Sequence, residues 1–235
     1  MNVATCLSGL TRSISYGWPL IERYLVRPFS SKVFIHTWDV DHGGERPGCV
    51  YKSAPLPSFT DGRTKKQFFE EEIKAQSFII ENYGNWAQIN SSSIPKAMFY
   101  SLYKSNALKT QYEKDSGNNF DLVIRARMDF FFENYLIQDE IQDVLNNNTV
   151  YGCLPGNKAD SRFITDAFGF GNSKVMNIYS SVWEDIVAHG LNRSPAELAL
   201  QDILIANNIQ FKWSQTRYRI LNEWGNQYIR IWGDF

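Results

Sequence analysis

The stretch Asp121-Leu122-Val123-Ile124-Arg125-Ala126-Arg127-Met128-Asp129 constrains this chain most, because an apolar strand runs straight into charges placed at every second residue. Side chains two apart share one face of an extended strand. Arg125, Arg127 and Asp129 therefore project together, while Ile124, Ala126 and Met128 project opposite. Two guanidinium groups and a carboxylate on one face require partners or water. The end of a sheet strand is also where open α/β sheets keep their ligands. Two readings follow: a site for a polyanionic, phosphate-bearing ligand, or an internal Arg–Asp ion pair on an edge strand.

The rest of the chain suits a large α/β domain around that strand. Its 235 residues can bury a full core in one unit spanning 1–235. With 24 basic and 25 acidic side chains the net charge is only -1, so no long-range field favours nucleic acid or an anionic membrane. Phosphate recognition must then be local. No run of about eighteen apolar residues marks a membrane span, and Met1 to Arg12 lacks the basic, apolar and cleavage-site pattern of a leader, Val3 to Leu7 reading as a first strand instead. Cys6, Cys49 and Cys153 lack metal-ligand spacing and read as packing residues of a reducing, cytoplasmic protein.

Strand and helix signals alternate, which predicts helices packed on a mostly parallel sheet. Val3 to Leu7 and Lys32 to Trp38 read as strands, with Trp18 to Val26 helical between them. The Gly- and Pro-rich segment from Asp39 to Phe59 reads as a long loop. Lys65 to Gln76 is expected to be an amphipathic helix, and Ser77 to Tyr83 a strand. Pro95 to Glu113 carries the clearest helical stripe, with proline in its first turn. After the charged strand come a polar helix from Gln138 to Leu145 and a strand from Thr149 to Leu154. A helix from Ser173 to His189 stops at Gly190, another runs from Ser194 to about Ala206, and the tail reads as short strands.

Several residues near the strand ends have both a chemical and a structural reading. Gly9 lets backbone approach a ligand, Ser8 and Thr11 offer hydroxyls, and Arg12 can reach a phosphate or base; equally, the segment is a polar strand-to-helix turn. Asp39 can accept from a ribose or nucleobase, and Trp38 can stack or be buried. His36 suits a core position better than a catalytic one. Lys104 and Lys109, on the helix before the charged strand, either approach a diphosphate or face solvent.

Ser8-Gly9-Leu10-Thr11-Arg12, Val33-Phe34-Ile35-His36-Thr37-Trp38-Asp39 and the Asp121 to Asp129 strand, taken in order, resemble nucleotide-sugar glycosyltransferases of the GT-A (Rossmann-like) fold, especially polysaccharide and lipopolysaccharide transferases of bacteria and large viruses. Asp166-Ala167-Phe168-Gly169-Phe170-Gly171 and Pro195-Ala196-Glu197 extend the likeness to about residue 205. The resemblance implies a nucleotide diphosphate sugar donor, a glycan acceptor and a divalent cation, Mn²⁺ or Mg²⁺, held by a D-x-D motif. This chain departs from that motif: Arg127 stands at the first carboxylate position, leaving Asp129 as the candidate metal ligand. Arg125 and Arg127 offer positive charge to the same phosphates.

An inverting transferase needs a carboxylate to take the acceptor proton. Asp166 ranks first, since no local motif explains it. Glu197 follows, although Ser194 three residues before it makes a capping box; Asp202 is third. A sugar nucleotidyltransferase would carry a Gly-rich, Arg-bearing first loop followed by lysine, which Ser8 to Arg12 fits poorly. A non-catalytic glycan-binding protein would not need the charged strand.

Overall fold

Short apolar runs ending in small or polar residues become the strands of a seven-stranded sheet. The computed structural model describes residues 1–11, 14–40, 59, 62–90, 94–153, 166–191, 197–221 and 228–231. Strand β1 (Val3–Gly9) leads to α1 (Ile14–Ile21), which unwinds through a π turn at Glu22–Val26 before β2 (Lys32–Trp38). Then come α2 (Lys65–Gln67), β3 (Ser77–Glu81), α3 (Tyr83–Asn90), the long α4 (Ile94–Ser116), β4 (Leu122–Arg127) and β5 (Phe130–Phe132). The second half supplies α5 (Gln138–Asn146), β6 (Thr149–Gly152), β7 (Phe168–Gly171), α6 (Ser173–Ser180), α7 (Val182–His189), α8 (Glu197–Ala206), β8 (Gln210–Trp213), β9 (Tyr218–Leu221) and β10 (Tyr228–Ile231).

The order across the large sheet is β3-β2-β1-β4-β7-β6-β8. Its first four strands are mutually parallel, β7 runs antiparallel to both β4 and β6, and β8 is parallel to β6. The chain is thus α/β with a mostly parallel, Rossmann-like sheet. From β1 the chain steps outward through β2 to β3, then returns to lay β4 on the other flank of β1. The strand order reverses between β1 and β4, and in open α/β sheets ligands bind at the carboxyl ends of strands beside such a reversal. A small antiparallel sheet, β10-β9-β5, follows the charged strand.

Alternation along the strands divides the core. Val3, Leu7, Val33, Ile35, Leu122, Ile124 and Ala126 face one layer with α1 and α5. Ala4, Cys6, Phe34, Trp38 and Val123 face α4, α6, α7 and α8. Cys6 and Cys153 are buried, and burial pushes the Cys6 thiol up to about 12; Cys49 lies outside the described residues.

Some elements differ from expectation for identifiable reasons. The helix expected over Lys65 to Gln76 ends early. Thr64 and Gln67 form a capping box, but the next turn widens into a π turn at Phe68–Glu72, and both adjacent phenylalanines are buried. Lys74 then takes a left-handed conformation (φ 53°) that stops it. The helix expected over Ser173 to His189 is two helices, because the hydroxyl and N–H of Ser181 both return to the Ile178 carbonyl. Helix α3 and strand β7 were not anticipated. No helix among the described residues is long and apolar enough to cross a membrane.

Candidate functional site

The candidate site is built from the carboxyl ends of β1 and β4. In the parallel register Ser8 lies opposite Arg127 and Cys6 opposite Arg125, so these side chains share one face. Gly9 ends β1 at φ 110°, a conformation costly for any residue with a Cβ, and a Cβ there would meet nothing within 4 Å. The backbone at this point is therefore open to close approach. It is also fixed: the Gly9 N–H donates to Ser101 Oγ (2.8 Å) and its carbonyl accepts from Thr37 Oγ1 (2.7 Å). Ser8 is fully buried, and its hydroxyl has no hydrogen-bond partner among the described residues.

Two guanidinium groups on β4 belong to the same site. Arg125 is 2 % exposed, and neither its Nε nor its Nη1 has a hydrogen-bond partner among the described residues. Its nearest counter-charge is Asp166, with Nη2 3.7 Å from Oδ2, too long for a hydrogen bond. That Asp166 oxygen also has no hydrogen-bond partner among the described residues. Burial lowers the Arg125 pKa and raises that of Asp166, with the mutual attraction working against both shifts. Arg127 is held differently, donating from Nε to Asp129 Oδ1 (2.9 Å) and from Nη2 to Oδ2 (2.5 Å). Burial alone would lower its pKa, but the Asp129 carboxylate outweighs burial and raises it. Buried polar groups almost always find partners, so the N–H groups on Arg125, the carboxylate oxygen and the hydroxyl that are unmatched among the described residues make the sheet reversal the candidate ligand site.

The structure brings Ser8, Gly9, Arg125, Arg127, Asp129 and Asp166 together at the ends of β1 and β4. Other candidates are placed elsewhere. Asp39 is not an idle acceptor: its carboxylate takes the Asn82 amide (2.6 Å) and the Tyr83 N–H (2.9 Å), capping α3. Lys104 is 3.0 Å from Glu81 Oε1, which gives it a protein counter-ion in place of a phosphate. Thr11 is buried, with its carbonyl accepting from Ile14 (2.7 Å), while Arg12 lies outside the described residues. Glu197 opens α8, and no hydrogen bond or ion pair among the described residues joins it to the four charges; Ser194, its expected capping partner, lies outside them. Trp38 is buried among the rings of His36, Tyr83, Trp86 and Tyr100.

Sequence reasoning missed the support beneath Gly9. His36 is fully buried, with Nδ1 2.8 Å from Ser101 Oγ and Nε2 3.7 Å from Glu81 Oε1. Burial lowers the His36 pKa. The imidazole, with Lys104 and the Tyr100 hydroxyl, holds Glu81 down at about 2. The available signal was Ser101 itself, a small polar residue next to Leu102 on the apolar stripe of α4.

The donor set does not fit a divalent cation. Mg²⁺ and Mn²⁺ take several oxygen ligands, yet both Asp129 oxygens are held by Arg127 and Asp166 faces Arg125. No group of three or more His, Cys, Asp or Glu side chains able to hold a metal ion occurs among the described residues.

No protein-family model matches this sequence, and no curated protein matches it. Among solved structures, the chain is similar to the crystal structure of a glycosyltransferase involved in the glycosylation of the major capsid of PBCV-1. The two are 12% identical, the match covers 91% of this chain and 81% of that chain, and the TM-score is 0.46.

Proposed function

We propose that this chain is a glycosyltransferase that moves a sugar, a hexose or deoxyhexose, from a nucleotide diphosphate sugar to a glycan acceptor in polysaccharide or glycoprotein glycan synthesis. The observation that carries this reading is Arg125, a buried guanidinium with unmatched N–H groups at the sheet reversal, where a diphosphate would supply the missing acceptors. The order of the Ser8 to Arg12, Val33 to Asp39 and Asp121 to Asp129 segments supports it independently.

In this reading Arg125 and Arg127 neutralise the diphosphate, and the open backbone at Gly9 lets it approach closely. As the acceptor oxygen bonds to the anomeric carbon, the bond from that carbon to phosphate oxygen breaks. The departing nucleoside diphosphate carries the electron pair, and its charge is met by guanidinium groups already in place. Asp166 takes the acceptor proton. Burial has already raised its pKa toward the range in which a carboxylate accepts a proton usefully.

Thermal melting of the full chain with uridine or guanosine diphosphate, against the matching nucleosides, tests the reading. A diphosphate at about 100 times its Kd adds about 2.7 kcal/mol of stability, and a nucleoside adds little. Equal or absent shifts for diphosphates and nucleosides would overturn it.

A further inference from the structure

We propose that the diphosphate site works without a metal ion, and that Asp129 is the positioning partner of Arg127 rather than a cation ligand. This rests on the nucleotide-sugar reading above and specifies how that site meets the phosphate charge.

The geometry of Arg127 supplies the argument. A guanidinium has five N–H groups; Asp129 takes two of them side by side, fixing the plane of the group. Its Cζ lies over the Phe130 ring, 5.8 Å from the centroid. The side chain is nevertheless 27 % exposed, whereas Asp129 is 2 % exposed. The carboxylate is thus enclosed behind the arginine, and the arginine is the member of the pair that a ligand can reach. A cation seated on Asp129 would have to displace Arg127 and lie beside a second guanidinium, that of Arg125. Together the two arginines carry the same formal charge as one divalent ion, and their N–H groups suit phosphate oxygens. The position where a D-x-D motif has its first carboxylate is here the cation itself.

The test is calorimetric titration of the full chain with uridine diphosphate, guanosine diphosphate and inorganic pyrophosphate, in EDTA and again in Mn²⁺. The affinity of whichever diphosphate binds should agree within about twofold between buffers, because the described residues offer no oxygen-ligand site for the ion. Arg127→Ala should weaken it by roughly tenfold or more in both, the scale of a charge-assisted hydrogen bond. Arg127→Lys, which keeps the charge but not the fork, should fall between. Asp129→Asn should weaken binding in EDTA, with its melting temperature measured alongside to show that the fold persists. A gain of about tenfold or more in Mn²⁺ with the native chain overturns the proposal, and loss of that gain in Asp129→Asn would identify Asp129 as a ligand. Unchanged affinity of folded Asp129→Asn in EDTA overturns the positioning role. Failure of every diphosphate to bind in either buffer removes the nucleotide-sugar reading itself.

Discussion

Two buried cations, one on α4 and one on β4, are held in opposite ways. Lys109 is fully buried, and its ammonium group donates to Glu113 Oε2 (2.8 Å), Ser173 Oγ (2.7 Å) and Asn177 Oδ1 (2.8 Å), matching each of its N–H groups. Glu113 is also satisfied, with Oε1 accepting from the Phe120 N–H (2.9 Å) and the Ser173 hydroxyl (2.7 Å). Arg125 is almost as deeply buried, yet two of its nitrogens have no acceptor among the described residues and its carboxylate neighbour stands 3.7 Å off. Burial of charge is the same in both places; completion of the hydrogen bonding is not. A closed network clasps α4 to α6 and to the start of β4. The open one leaves donors unmatched among the described residues, and in the proposed function a diphosphate supplies their acceptors.

The largest expected effect comes from breaking the closed network. Lys109→Met leaves Glu113 buried without its counter-ion, which costs about 3–5 kcal/mol and should lower the melting temperature by roughly 6–20 °C. Nucleoside diphosphate affinity should be unchanged. The next effect is kinetic: Asp166→Asn keeps the shape but cannot take a proton, so sugar transfer should slow by at least ~10² while donor still binds. Arg125→Met should weaken diphosphate binding by about 1.5–3 kcal/mol with far less loss of stability than Lys109→Met. The variant removes N–H groups that were buried without partners, and the remaining Asp166 can protonate. If instead Lys109→Met weakens binding and Arg125→Met mainly lowers the melting temperature, the assignment of the two networks is reversed.

Much of the frame was legible because its signals are local. β1, β2, β4 and α4 announce themselves through apolar runs, and the charged strand stands out because its polarity contradicts its burial. What was not legible depends on partners far along the chain. Asp39 caps α3 through Asn82 and Tyr83, 43 and 44 residues later. His36 meets Ser101 across 65 residues, so the support for Gly9 cannot be read from either segment alone. Lys109 looked like a solvated or phosphate-directed lysine, since Ser173 and Asn177, 64 and 68 residues away, decide its role. The Arg125–Asp166 approach was likewise hidden in strand pairing, although both residues were singled out for their chemistry.

The smallest expected effect, and the finest test of the contrast, is the pH dependence of stability. In the closed network burial raises the Glu113 pKa, but Lys109, the Phe120 N–H and Ser173 together hold it below its ordinary 4.5. Its contribution is therefore present above about pH 4.5 and is lost as pH falls through the depressed folded value. In the open network burial dominates and Asp166 lies above its ordinary 3.8, with Arg125 and Arg127 opposing the rise and Asp129 adding to it. Its contribution has the opposite sign: it favours the fold below about pH 3.8 and is lost as pH rises through the elevated folded value. Denaturant midpoints measured from about pH 3 to about pH 7 should then separate the two carboxylates. Relative to the native chain, Glu113→Gln should show its largest deficit at neutral pH, shrinking in acid. Asp166→Asn should be most favourable at neutral pH and lose that advantage in acid, because the native carboxylate is then protonated as well. Adding a saturating nucleoside diphosphate should leave the Glu113→Gln profile in place and alter that of Asp166→Asn, since only the second carboxylate faces a guanidinium that the ligand engages. Parallel profiles for the two variants would mean that Arg125 and Lys109 are held alike, and the distinction between a clasp and a site would fail.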